Sequence, residues 1–75
     1  MKFGAAEMSE IVFIVEQAPE GGYIARALGE SILTEADTEA ALKLAVQDAV
    51  HCHFDEGHSP KVIRLHFVRE ELLAA

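Results

Sequence analysis

The sequence predicts an α+β domain of order β-β-β-α-β: a mostly antiparallel sheet with one helix packed on one face and the last strand parallel to the first. Three observations predict it. Residues 10–17, E-I-V-F-I-V-E-Q, are β-branched or aromatic through their middle, the mark of a strand covered on both faces. Residues 37–54 carry no Gly or Pro and are rich in Ala and Leu, and no other uninterrupted pattern in the chain is as long, so this is the helix. Residues 61–69, K-V-I-R-L-H-F-V-R, return to strand composition after a Gly and a Pro that stop the helix.

Residues 1–9 show no periodicity and read as a weakly ordered extension, leaving 10–69 as the domain and 70–75 as a frayed tail or a short helical turn. After the first strand, A-P-E-G-G makes a turn of about five residues, with Pro19 fixing one dihedral and Gly21 and Gly22 free to take positive φ. Residues 23–28 complete the hairpin. Here Tyr23, Ala25 and Ala27 share one face, and the small alanines leave room for a helix close above the sheet; Ile24, Arg26 and Leu28 share the other. Gly29 breaks that run, and residues 31–34 form a brief third strand.

Asp37 or Thr38 caps the helix, and Glu39 in the first turn complements the positive end of its dipole. From Leu42, steps of three and four reach Ala45, Val46, Ala49 and His53, which defines the inward stripe. Gly57 is the expected left-handed residue past the helix end, and Pro60 blocks continuation. On the last strand Ile63, Leu65 and Phe67 point to the helix, and Val62, Arg64, His66 and Val68 point away. The crossover through the helix is expected to be right-handed.

Seventy-five residues make a single small domain, which buries only roughly 60% of its unfolded surface. Chains of this size are usually reinforced by disulfides, metals or self-association. The single cysteine, Cys52, excludes an internal disulfide and fits a reducing compartment. One helix covers one sheet face only, so the other presents Val12, Ile14, Ile24, Leu28, Val62 and Val68, too much apolar surface for a monomer. These residues, with Arg26, Arg64 and His66, are the expected interface of a homodimer or tetramer.

The charge is −7, from 13 Asp and Glu against 6 Lys and Arg. That balance lacks the basic footprint of sequence-independent nucleic-acid binding and suits a basic protein partner. Residues 1–8 show no apolar core or cleavage pattern of a signal peptide, and the longest apolar run, 11–15, is far short of the roughly 20 residues a membrane span needs. A cytoplasmic protein is expected.

The hairpin P-E-G-G-Y-I-A-R-A-L-G, the helix entry E-A-D-T-E-A-A-L and a closing strand after a Gly-containing loop resemble the HicB-like antitoxin domain. Gly22-Tyr23 matches that family's step into the second strand, and Thr38-Glu39-Ala40-Ala41 its helix start. The resemblance spans residues 10–68 and implies a partial RNase H-like fold and a module that binds and blocks a small basic RNA-cleaving toxin. Two departures stand out. Family antitoxins usually carry a DNA-binding segment after this domain, and the six residues following Arg69 leave no room for one, so direct DNA binding is not expected. The proline- and cysteine-containing turn common after the second strand is here A-L-G-E-S-I.

Residues 51–58, H-C-H-F-D-E-G-H, hold imidazoles, a thiol and carboxylates, all potential metal ligands. His51 and His53 lie roughly 200° apart around a helix, which is poor geometry for one ion. His53 with His58, or an ion between subunits, is the weaker alternative: a small ligand- or metal-binding oligomer built around His51, His53, His58 and His66. Cys52 reads as a small, partly buried hydrophobe, and His53, on the inward stripe, as a group bonded to a backbone carbonyl near the last strand or as a pH-sensitive interface group. No cofactor is implied. An RNase H mechanism needs carboxylates converging on magnesium, for which Glu16, Asp37 and Asp48 are the nearest candidates. Asp37 serves better as a cap and Asp48 as a solvated helix residue, and no nucleophile elbow or phosphate loop is present, so an enzyme is not expected.

Overall fold

The computed structural model describes residues 10–55 and 57–75. The elements are β1 (Glu10–Gln17), β2 (Tyr23–Ala27), β3 (Leu33–Ala36), α1 (Glu39–His53) and β4 (Val62–Phe67), the order expected from the sequence. They form a four-stranded sheet ordered β3-β2-β1-β4, in which β1 runs antiparallel to β2 and parallel to β4. The expectation for residues 1–9 lies outside the described residues.

Alternation along β1 assigns the faces. Ile11, Phe13 and Val15 are buried toward the helix, opposite Ile63, Leu65 and Phe67 of β4, while Val12 and Ile14 point the other way. Ala25 and Ala27 are buried beneath the helix, as their small size permits. With Leu42, Val46 and Val50 of α1 and with Ile32, they close the core.

Several boundaries differ from those expected. The third strand begins at Leu33, not residue 31, because the carbonyl of Ile32 accepts from Ala27 N–H at 3.0 Å and the Ile32 side chain turns into the core. Gly29, at φ 85°, reverses the chain before it, so Leu28 falls just beyond β2. The helix starts at Glu39, capped by Thr38, whose Oγ1 accepts from Ala41 N–H at 3.1 Å; Asp37 lies outside it. β4 spans Val62–Phe67, within the expected 61–69, and residues 68–75 form neither helix nor strand.

The inward stripe also needs correction. Val50 is buried and His53 is exposed, since His53 is the last residue of α1 and the half-buried Phe54 meets the core in its place. Cys52 is exposed rather than partly buried. Replacing Thr38 by Ala removes the cap and is expected to cost about 1 kcal/mol. A melting temperature lowered by about 4–8 °C in a thermal scan, with α1 still formed, is the result that checks it.

Candidate functional site

Strand pairing sets the surface opposite the helix row by row. Arg26 lies between Leu33 of β3 and Ile14 of β1, and Ile14 is followed by His66 of β4. Ile24 lies between Glu35 and Glu16. Val12 pairs with Arg64, and its carbonyl accepts from Leu28 N–H at 2.9 Å. Val68 N–H donates to Val15 carbonyl at 2.8 Å, which carries the edge one residue past β4.

Val12, Ile14 and Ile24 are half-buried in the middle of this face, and Leu28 and Leu33 flank them with 54% and 68% of their surface exposed. Ion pairs bracket this apolar band. Arg26 reaches Glu16 at 3.9 Å, and the Arg64 guanidinium binds Glu10 through two nitrogens, one at 3.3 Å. The residues expected at an interface therefore do share one surface, with Arg26 and Arg64 already engaged by carboxylates of the same chain. Leu33 is the member that sequence reading missed. Along β3, Leu33 and Glu35 alternate outward while Thr34 and Ala36 face the helix, and this alternation was the available signal.

Hydrogen bonding to Arg64 holds the Glu10 carboxyl below the ordinary carboxylate range, although partial desolvation opposes the effect. A depressed carboxyl pKa contributes stability above its unfolded value, and that contribution fades as pH falls through the lowered folded value. Both groups are exposed, so salt weakens the pair. Arg64→Ala is expected to move the Glu10 titration upward to the ordinary carboxylate value, read by NMR of its side-chain carboxyl carbon.

The candidate metal ligands do not converge. His53 Nε2 lies 3.1 Å from Glu30 Oε1, a partner in the β2–β3 connection and not a backbone carbonyl near β4. His51 and His58 are exposed, and among the described residues no three His, Cys, Asp or Glu side chains come together as a metal site. Glu16 sits on the open sheet face, Asp37 before α1 and Asp48 on its exposed side, so these carboxylates form no common centre.

Grooves also lie elsewhere, two of them beside β4. One, of about 380 Å³, runs between α1 and β4 and is lined by Val46, Val50, Ile63 and Leu65, with Lys43 and Lys61 beside them. It exists because α1 lies closest to β3 and β2, leaving β4 only partly roofed. The other borders Tyr23, Glu39 and Phe67 and the segment 68–71. No helix among the described residues is long and apolar enough to cross a membrane.

No family model matches the chain, and no solved structure matches it significantly. Two curated relatives do. A UPF0150 protein of Thermotoga maritima is 45% identical over 65 residues, covering 87% of this chain and 91% of the relative. A UPF0150 protein of Archaeoglobus fulgidus is 52% identical over 52 residues, covering 69% of this chain and 77% of the relative. Identity at that level along most of both chains leaves no doubt of common descent, and the chain belongs to the UPF0150 family.

Proposed function

We propose that this chain is a non-catalytic, self-associating interaction module of the HicB-like kind, an antitoxin-type protein that docks a small basic RNA-cleaving toxin. The observation that carries the reading is the apolar band of Val12, Ile14, Ile24, Leu28 and Leu33, over which no described element lies. A band of this make-up is what a second copy, or another polypeptide, covers. Its flanking ion pairs supply the polar rim usual at such contacts. The net charge of −7 favours a basic partner, and Glu35, Asp37, Glu39 and Asp48 are all exposed to meet one. The family-like hairpin and helix entry quoted above support the antitoxin reading.

Two measurements test it. Sedimentation equilibrium is expected to show a dimer or tetramer at micromolar concentration, and Ile14→Glu, which places a charge at the centre of the band, is expected to lower that state. A wild-type monomer overturns self-association. Co-expression with the product of the adjacent open reading frame is expected to yield a complex in which a small basic protein loses its ribonuclease activity. A copurified neighbour whose RNA cleavage is unaffected overturns the antitoxin reading.

A further inference from the structure

The second place where the fold stops short is the outer edge of β4. The sheet has two edges. β3, with four residues, is short, and short edge strands resist further pairing. β4 has six, contains no proline, and runs into residues 68–75, where no strand or helix forms. Val68 N–H points at β1, so by alternation the odd-numbered residues Ile63, Leu65 and Phe67 turn their N–H and C=O groups to the free side. The segment that follows is already strand-like at its start: Arg69 and Glu71, two apart, reach each other at 2.7 Å, as side chains on one face of an extended chain do. Farther along, Leu72 and Leu73 are 95% and 87% exposed.

We propose that β4 and residues 68–72 pair antiparallel with the same stretch of a second copy about a two-fold axis at Phe67, joining two four-stranded sheets edge to edge. On the open face the segment is self-complementary in this register. There Val62 meets the partner's Leu72, Arg64 the partner's Glu70, and His66 the partner's Val68. On the helix face the two Phe67 rings, each 44% exposed, meet across the axis. Moving the axis to His66 sets Val62 against Glu70 and Arg64 against Val68; moving it to Val68 sets Arg64 against Leu72. On this open face neither neighbouring register sets Arg64 against a carboxylate.

The groove between α1 and β4 supplies the independent argument. In the Phe67 register the partner's Glu71 and Leu73 lie on the helix face, opposite Ile63 and Lys61 at the mouth of that groove. Its apolar residues Val46, Val50, Ile63 and Leu65 lie beside Gln47, His51 and both lysines of the described residues, in a chain of net charge −7. Diagonally across this register the partner's Glu71 neighbours Lys61 and the partner's Leu73 neighbours Ile63. The run E-E-L-L cannot readily return to the groove of its own chain, because R-E-E-L-L has no Gly, Pro, Asn or Asp to make the tight reversal beside β4.

The inference stands apart from the open-face reading, since it uses the strand edge and the segment after it. Sedimentation equilibrium of the full chain separates the two. Leu72→Glu, at a site that packs on nothing in the free chain, and Phe67→Arg are each expected to raise the dimer dissociation constant roughly tenfold or more. Ile14→Glu leaves this edge contact intact. In a Cys52→Ser background, Phe67→Cys is expected to form a disulfide-linked dimer on mild oxidation, since Cα atoms directly opposed in a hydrogen-bonded antiparallel pair, about 5.5 Å apart, fall within disulfide reach. A wild-type monomer, a dissociation constant unmoved by Leu72→Glu, or a Phe67→Cys variant that stays uncrosslinked would each overturn the proposal.

Discussion

Phe13→Ala is expected to remove most of the stability of this domain. Phe13 is fully buried at the middle of β1, the strand that pairs with both β2 and β4, and it belongs to the same core cluster as Leu42, Val46 and Val50 of the helix. Truncating a buried Phe typically costs about 3–5 kcal/mol, from lost transfer energy and from the cavity left behind. A chain of this length has roughly 4–11 kcal/mol in total. Urea denaturation followed by circular dichroism, at fixed protein concentration because self-association shifts the midpoint, is therefore expected to show a sharply lowered midpoint or no folded baseline. A midpoint within experimental error of the wild type would mean that this side chain is not where the core is built.

The second large effect is expected at the β1–β2 turn, where two adjacent glycines have different reasons to be glycine. Gly21 and Gly22 both take positive φ, at 108° and 83°, so alanine at either position is strained by about 1–2 kcal/mol. Only Gly22 is also crowded: a Cβ there would lie 2.8 Å from the carbonyl oxygen of Ala36, at the end of β3, whereas at Gly21 it would meet open space. Ala36 is the register partner of Tyr23, so relief of the clash must displace the β2–β3 pairing. Gly22→Ala is expected to cost about 2 kcal/mol or more, and clearly more than Gly21→Ala in parallel melts. Equal losses at the two positions would show that backbone conformation alone matters and that the strand end yields freely.

The two predictions differ in how legible their grounds are in the sequence. Burial of Phe13 follows from the apolar run of the first strand. That Gly21 and Gly22 form a turn follows from A-P-E-G-G. The approach of Ala36 to Gly22 does not, because it depends on how the third strand settles against the second. The same strand begins two residues later than its sequence suggests, because the break at Gly29 extends through Ile32, whose side chain enters the core. Leu33 lies in both the expected and the observed range and a shift of two residues keeps its face, so its outward position follows from alternation alone. Helical angle alone puts His53 on the inward stripe, but its position at the end of α1 leaves it beside Glu30 instead.

What the sequence determined by itself is the order of elements, the α+β class, the turn glycines, and which residues of β1, β2 and β4 share a face. All of these follow from alternation, helical period and turn chemistry, which are properties of neighbouring residues. Only the tertiary structure decided where α1 lies across the sheet and that β4 keeps a groove and a free edge. Those outcomes depend on packing between residues far apart in the chain, and no local period encodes the distance between them.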